Sequence, residues 1–477
     1  MSLRNAPHKM PMLRLLIAAL LLVLGAGFVL PARPAFAAPF TPGNIVVYRV
    51  GDGSGPLVNT GNPVFLDEYN PATGQLVQSI PLPTTANGPH RAFFASGTAT
   101  SEGLLSRSAD GRYLLLTGYS SRAGSSLSRT SSAALPRVVA RVDFDGNIDT
   151  TTALTDFADG NNPRSATSDD GNRLWVAGAA GGVRATTIGA TTSTQLNPDL
   201  TNTRQVAIFD GQLYVSSDRG TNTFKGVNAV GIGLPTTPDQ PIFRLPGLTD
   251  ANSPNTFGFF LADVSDFVPG IDTLYVANDS PGALTKFSLI NGTWIALGTV
   301  GLAGDAYRGL TGVVNDTGVT LYATRKGGSG AGGGGELVMI TDNSGHGGIF
   351  TGEPTVIATA APNTAFRGVA LAPTPPSPNP ETVITGRPTP LTDSTEATFE
   401  FTGSDDATPV GSLTFECSLD DEEFAPCTSP VTYTGLSLGV HLFRVRAVDT
   451  DSNIDPTPAR VRWAVVTNQS YLPLMQR

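Results

Sequence analysis

Arginines are the residues whose placement most suggests chemistry in this 477-residue chain. Six short segments resemble one another, and each has a matching position near its start; these positions hold Glu102, Arg164, Arg204, Phe257, Arg308 and Arg367. Converging guanidinium groups can hold a carboxylate, a phosphate or an acidic sugar through paired hydrogen bonds. Glu102 and the four arginines are therefore the predicted ligand-binding residues. Alternatively, each arginine bonds carbonyl groups of a neighbouring repeat, and the recurrence of the position favours this structural role.

Histidine, the usual general base of nucleophilic catalysis, is scarce. After the N-terminal segment the sequence has His90, His346 and His441, which lie in unrelated stretches. No catalytic residue is therefore assigned, and a non-catalytic binding or surface-interaction protein is the leading interpretation. The alternative is an extracellular hydrolase or lyase acting on an anionic ester or sugar. It would use Glu102 and His90 as acid and base.

Two acidic runs place oxygen ligands at alternate positions, a spacing that suits calcium. The runs are Asp143, Asp145, Asn147 and Asp149, and Asp449, Asp451, Asn453 and Asp455. The first has Gly146 at its fourth place instead of its sixth, and the second has Arg460 where a bidentate glutamate belongs. We therefore expect no cofactor, with calcium as a weak alternative. The glycine-rich stretch 327–335 lacks the Gly-Lys-Ser/Thr of a phosphate loop and is expected to be a flexible hairpin tip.

The elements that would position these residues are short strands. From residue 44 to about 371 apolar and polar residues alternate, interrupted by Gly, Asn, Asp and Pro. A phrase with a glycine turn before a strand recurs every 40 to 60 residues, as in SADGRYLLL (108–116), SDDGNRLWV (168–176) and FDGQLYV (209–215). That period fits one four-stranded propeller blade per copy. The predicted fold is all-β, a six-bladed propeller, with seven blades or an array of sandwiches as alternatives.

The last blade is predicted to be shared by the two ends of the propeller. The innermost strand near Arg367 has no following partner strand, whereas Ile45–Val50 and the stretches 64–70 and 75–81 are unpaired. The segments GNIVVYRVGDG (43–53), VFLDEY (64–69), TSEGLLSRSADGRYLLLTGY (100–119) and NTAFRGVALAPTP (363–375) resemble a family of secreted bacterial propeller proteins of unassigned function. The resemblance implies the fold and export, and it supplies no catalytic residue. The propeller is assigned to residues 38–371.

A second domain follows a proline-rich linker, residues 372–381. Alternating strands at 8–12-residue spacing predict a small immunoglobulin-like sandwich over residues 382–466, and the segment FECSLDDEEFAPCTSPVTYTGLSLGVHLFRVRAVDTDSNIDPTPA resembles a bacterial Ig-like module. Its Cys417 and Cys427 should form a disulfide in an exported chain. Residues 467–477 form the tail, which lacks a sortase signal.

The N-terminus predicts where the protein acts. A basic start, an apolar run from residue 15 to 30 and the sequence Ala35-Phe36-Ala37 have the three-part pattern of a secretory signal peptide, residues 1–37. Its removal takes away four basic residues and no acidic one, so the formal charge changes from −10 to −14. Such an acidic chain disfavours nucleic acid and anionic membranes as partners. We expect a secreted monomer without a membrane span, whose extracellular partner is an anionic small molecule, a glycan or a protein.

Overall fold

The structure is a computed structural model, and it describes residues 37–218, 224–253, 255–265, 267–280, 282–315, 317–376, 379–405, 408–450 and 452–467. These residues form 34 strands and one short 3₁₀ turn, Val410–Ser412, so the predicted all-β fold is confirmed. Within these ranges no helix is long and apolar enough to cross a membrane. The expected signal peptide and tail lie outside them, apart from residues 37 and 467.

The first half of the chain forms antiparallel sets of four strands, which are the blades of a propeller. The chain begins with β1 (Ile45–Val50), β2 (Gly61–Tyr69), β3 (Leu76–Pro81) and the short β4 (Phe94–Ser96). The next sets are β5 (Ser106–Arg107), β6 (Tyr113–Tyr119), β7 (Arg137–Asp143) and β8 (Ile148–Leu154), then β9 (Pro163–Ser168), β10 (Arg173–Gly178), β11 (Val183–Thr187) and β12 (Thr194–Gln195). β4 pairs with both β2 and β6 and thereby joins two neighbouring blades.

The second half of the propeller repeats this arrangement. One sheet has β13 (Val206–Phe209), β14 (Gln212–Ser217), β15 (Gly226–Val230) and β16 (Ile242–Arg244), and the next has β17 (Thr256–Ala262), β18 (Thr273–Asn278), β19 (Ala283–Ile290) and β20 (Thr293–Val300). The third has β21 (Leu310–Asn315), β22 (Gly318–Arg325), β24 (Glu336–Asp342) and β25 (Thr355–Thr359). The remaining strands are the short β23 (Gly333–Gly334) and β26 (Thr364–Leu371). The innermost strands β5, β9, β13, β17, β21 and β26 follow one another around the centre.

The two ends of the propeller meet in one sheet, as the sequence predicts. β1 pairs with β26 in antiparallel register, with Val47 opposite Val369 and Ile45 opposite Leu371, and β1 also pairs with β2. Both edges are therefore hydrogen-bonded, and neither is left open to pair with another chain. The seam is the β1–β26 pairing.

Hydroxyl groups link neighbouring blades near the centre. Ser165 Oγ donates to the carbonyl of Arg204 at 2.8 Å, Ser106 Oγ donates to that of Ala166 at 2.5 Å, and Thr324 Oγ1 donates to that of Arg367. The strands approach so closely that a side chain does not fit at some positions. A Cβ atom at Gly368 would lie 2.2 Å from the amide nitrogen of Leu105. Close packing therefore explains the small residues of the repeated segments.

The glycine-rich stretch 327–335 differs from the expected flexible tip. It does join β22 to β24, but Gly333 and Gly334 pair in parallel with Thr364 and Ala365 of β26. The amide of Leu57 also donates to Ala331 O at 2.7 Å. The stretch packs against the seam because its glycines let the two backbones come into contact.

The C-terminal part consists of two sheets packed face to face. Its strands are β27 (Glu381–Gly386), β28 (Leu391–Thr392), β29 (Glu396–Ser404), β30 (Thr414–Leu419), β31 (Ala425–Cys427), β32 (Val431–Thr434), β33 (Gly439–Val448) and β34 (Ala459–Val465). β27, β29 and β32 form one sheet, and the other strands form the second. Between them the rings of Phe399 and Phe443 stack at 4.0 Å, with Trp463 beside them. The predicted disulfide between Cys417 and Cys427 is confirmed.

Substitution of Gly368 by alanine tests the close packing of the innermost strands. We expect Gly368→Ala to lower the free energy of unfolding by about 3 kcal/mol, since the added methyl group would overlap the backbone of the next blade. The matched control is Gly330→Ala, because a Cβ atom there would meet nothing within 4 Å. Denaturant unfolding of both variants measures the difference, and equal stabilities would contradict the packing described.

Candidate functional site

The six matching positions lie at the same end of the innermost strands. Arg164 and Arg367 are within β9 and β26, Phe257 is within β17, and Arg204 lies two residues before β13. Arg308 likewise precedes β21 by two residues. Glu102 lies four residues before β5, so its strand begins later than the sequence suggests. The chain turns at Gly103, whose φ is +77° and whose missing side chain leaves room for Tyr48 and Arg367.

We call Arg164, Arg204, Arg308 and Arg367 the arginine cluster. Arg164, Arg204 and Arg367 are each at most 6% exposed, and the side chain of Arg308 is 14% exposed. Burial lowers the pKa of Arg164 to about 9, with the charge of Arg204 as the next cause. Burial also lowers the pKa of Arg367 to about 10, and there the charge of Arg308 is the next cause. Arg164 is therefore close enough to be repelled by Arg204, and Arg367 by Arg308.

Two arginines of the cluster donate hydrogen bonds to backbone carbonyl groups beyond their own blades. Arg164 donates to Thr203 O at 2.7 Å, at the entrance to the next blade. Arg367 donates to Gly97 O at 2.8 Å, again beyond its own blade. Such contacts tie neighbouring blades together, which is the structural role given in the sequence analysis as the alternative to ligand binding.

Carboxylates partly neutralise the other two arginines. Arg204 pairs with Asp218 through Nη2, and Arg308 pairs with Asp279 at 2.6 Å. The guanidinium of Arg204 also lies 4.5 Å from the centre of the Phe257 ring, and that of Arg308 lies 5.9 Å from it. Phe257 therefore takes the place of an arginine in the cluster and supplies a cation–π contact.

Several buried donors of the cluster remain unused. Nε and Nη1 of Arg204, and Nε of Arg164, Arg308 and Arg367, have no hydrogen-bond acceptor among the described residues. A buried donor without an acceptor carries a desolvation penalty, which a bound water or anion removes. The cluster thus has spare capacity for an acceptor.

Glu102, whose segment lies between those of Arg367 and Arg164, is surrounded by hydrogen-bond donors. Its carboxylate accepts from the amide of Ser96 at 3.0 Å, from the hydroxyl of Tyr119 at 2.5 Å and from the side-chain amide of Asn162. Burial raises the pKa of Glu102, while these hydrogen bonds and the charge of Arg367 oppose the rise. Ser96 and Asn162 also line a polar cavity of about 510 Å³.

His90 is not part of this network. It lies between β3 and β4, and its Nδ1 accepts from the amide of Thr150 at 3.4 Å. Thr150 is in β8, the outermost strand of its blade, whereas Glu102 precedes the innermost one. Three strand spacings of about 4.8 Å separate these strands by roughly 14 Å. The structure therefore does not bring His90 and Glu102 together.

The described residues of the two acidic runs form hydrogen-bonded turns, and Asp451 lies outside the described residues. Asp143 accepts from the amide and the side chain of Asn147, and Asp449 accepts from Asn453 in the same way. Asp455 accepts from Thr457 and Thr382. Across the described ranges no group of three or more His, Cys, Asp or Glu residues is arranged to hold a metal ion.

The sequence analysis missed two asparagines of the site. Asn162 and Asn202 each lie two residues before a cluster arginine, and each bonds to the matching residue of the preceding blade. Asn162 donates to Glu102, and Asn202 accepts from Arg164. The repeated Asn-x-Arg spacing was the available signal.

Comparisons with known proteins identify no family. A scan against models of protein families and a search of curated proteins found no match. Among solved structures, the extracellular domain of a one-component system from B. thetaiotaomicron is 12% identical with a TM-score of 0.34; the match covers 89% of this chain and 59% of that one. The soluble aldose sugar dehydrogenase of Escherichia coli is 12% identical with a TM-score of 0.37, covering 62% and 98%. Likenesses at this level transfer neither a ligand nor a reaction.

Replacement of Glu102 tests its burial through pH. A carboxyl group whose pKa is raised by folding favours the folded state below the unfolded pKa, and this contribution is lost as the pH rises through the folded pKa. Relative to Glu102→Gln, the wild-type protein should therefore be most stable below pH 4.5 and lose stability toward neutral pH. Thermal unfolding of both proteins between pH 4 and pH 8 measures this difference. A difference independent of pH would show that Glu102 keeps an ordinary pKa.

Proposed function

We propose that the chain is an exported, non-catalytic binding protein that holds an anionic ligand at the arginine end of its propeller. The ligand is a small carboxylate, a phosphate, an acidic glycan or an acidic group of a protein. Four guanidinium groups at one end of the innermost strands support this interpretation, because guanidinium groups donate paired hydrogen bonds to the oxygens of such anions.

Arg204 is the observation that carries the proposal. It is 6% exposed, its Nη2 pairs with Asp218, and its Nε and Nη1 have no acceptor among the described residues. These two donors point to different sides of the guanidinium, so each of them would take a separate acceptor oxygen. The neighbouring Arg164 and Arg308 each have an unused Nε as well. An anion here would meet donors from three blades.

The contacts do not favour the hydrolase or lyase alternative. A general acid or base needs a proton donor or acceptor free to reach the substrate. Glu102 already accepts three hydrogen bonds, and His90 lies near the outermost strand of its blade. Binding an anion without a reaction therefore requires fewer changes to these contacts than catalysis would.

Bracing and binding are compatible roles for the cluster. The arginines already tie neighbouring blades through Thr203 O and Gly97 O. An anion that bonds the remaining donors would tie the same blades more tightly and would relieve the repulsion among the cations. Because such a ligand binds only the folded ring, it would raise the melting temperature.

Export is part of the proposal. The leader pattern of residues 1–37 and the Cys417–Cys427 disulfide both fit a compartment outside the cytoplasm. The C-terminal sandwich would act as a spacer or an attachment module, and the acidic charge would disfavour nucleic acid as a partner.

Anion titration of residues 38–477 tests the proposal. Phosphate, sulfate, citrate and glucuronate are titrated by calorimetry, and melting temperatures are recorded with each. We expect at least one of them to bind and to raise the melting temperature. Arg204→Ala should weaken that binding by about tenfold or more, the usual effect of removing a charged hydrogen bond of about 1.5–3 kcal/mol.

The matched control is Arg184→Ala. Arg184 is also an ion-paired arginine with a largely buried side chain, but it lies on β11 and bonds Asp156 and Ser193 away from the cluster. Circular dichroism checks that both variants fold. Should Arg184→Ala weaken the binding as much as Arg204→Ala does, or should none of the anions bind, the arginine end is not an anion site.

A further inference from the structure

A second cavity lies in the channel beyond the arginine end. Its volume is about 180 Å³, and every innermost strand or its adjoining residues contribute to the wall. The wall residues follow the cluster positions along each strand, as Phe209 follows Arg204 and Val369 follows Arg367. At about 3.3 Å per residue they lie roughly 7 to 16 Å further along the axis. We call this space the far-end cavity.

The wall of the far-end cavity combines apolar and polar residues. Phe209 meets Phe260 edge to face at 5.8 Å, and both rings are only partly buried. A Cβ atom at Gly312 would lie 2.7 Å from the Phe260 ring, so the missing side chain makes room for that ring. The two rings give part of the wall a surface that suits an aromatic or branched aliphatic group.

Three polar side chains of the wall, those of Gln205, Ser106 and Ser108, are bonded within the protein. The Gln205 amide accepts from Phe259 N at 3.1 Å and donates to Phe259 O at 3.5 Å. Ser106 Oγ donates to Ala166 O, and Ser108 Oγ donates to Asp110. They have little capacity left for water.

Arg107 is the exception at the rim. Its half-buried side chain makes one hydrogen bond within the described residues, a long one of 3.4 Å from Nη1 to Ala372 O. The nearby Asp110 is already occupied by Ser108 and Arg112. Burial lowers the pKa of Arg107, and the charge of Asp110 opposes this only in part. A guanidinium with so few acceptors beside an apolar space has room for an anionic partner.

The linker fixes the rim in place. Ala372 N donates to Asn44 O at 2.9 Å, and Thr374 N donates to Gly111 O at 2.9 Å. The Arg107 side chain lies between this anchored segment and the turn, because a Cβ atom at Gly111 would be 3.7 Å from its Cζ. Its guanidinium is therefore held at the mouth before any ligand arrives.

We propose that the far-end cavity binds a small carboxylate with an aromatic or branched body. Arg107 holds the carboxylate at the rim, and the body lies against the Phe209 and Phe260 rings. The size agrees, since an apolar cavity of roughly 150 Å³ accepts benzene in another protein. This site is independent of the arginine cluster, and either can exist without the other.

Benzoate and phenylacetate are the probes for this site on the protein of residues 38–477. Benzamide has the same ring without the charge, and acetate has the charge without the ring. We expect benzoate or phenylacetate to bind in the millimolar range or tighter by calorimetry, and benzamide and acetate to bind at least about tenfold more weakly, since each loses one of the two contacts. Equal binding of benzoate and acetate would overturn the proposed apolar body site.

Arg107→Gln locates the carboxylate. It should weaken benzoate binding by about tenfold or more and leave the melting temperature without ligand nearly unchanged. The matched control is Arg141→Ala, which removes another half-buried arginine that bonds Gly171 and Asp149. Arg141→Ala should bind benzoate as the wild type does. Unchanged benzoate binding in Arg107→Gln, or its loss in Arg204→Ala instead, overturns the proposal.

Discussion

Pairing of β1 with β26 is the constraint on which the rest of the structure depends. It joins the two ends of the propeller, with Val47 opposite Val369. The conformational entropy of bringing these distant parts of the chain together is lost in this one pairing. The same pairing sets β26 beside the segment that carries Glu102, so that Arg367 reaches Gly97 O between β4 and β5. Without closure this contact would not form, and two strand edges would be exposed.

Closure also explains how the two proposed sites can lie along the same set of innermost strands. The innermost strands run in the same direction and lie close together, so residues at equal positions along them meet. At one end this brings four arginines together, and carbonyl groups, Asp218 and Asp279 offset part of the cost of burying their charge. At the other end the same geometry places aromatic and branched residues around a small space, with Arg107 at its rim.

Local patterns predicted much of this architecture. Alternating residues and Asp-Gly turns are patterns of near neighbours in the chain, so the strands could be predicted from the sequence. The seam could be predicted because strands at both ends of the propeller were left without partners. The six matching positions could be predicted because each lies near the start of a repeated segment that precedes a glycine turn. The partners of Glu102 could not, because Tyr119 and Asn162 reach it only after two blades have packed. Arg107 was missed for a similar reason, since its place at a rim depends on the linker that folds back over it.

A cross-link across the seam tests the central claim most directly. The described residues contain no free cysteine, so Val47→Cys with Val369→Cys introduces one new pair at facing positions. Facing residues of antiparallel strands have Cα atoms about 4.5–5.5 Å apart, within the range of a disulfide. Ring closure predicts that mass spectrometry of the oxidised, folded protein finds the peptides of positions 47 and 369 linked. Free thiols at both positions, under conditions in which Cys417 and Cys427 are paired, would contradict it.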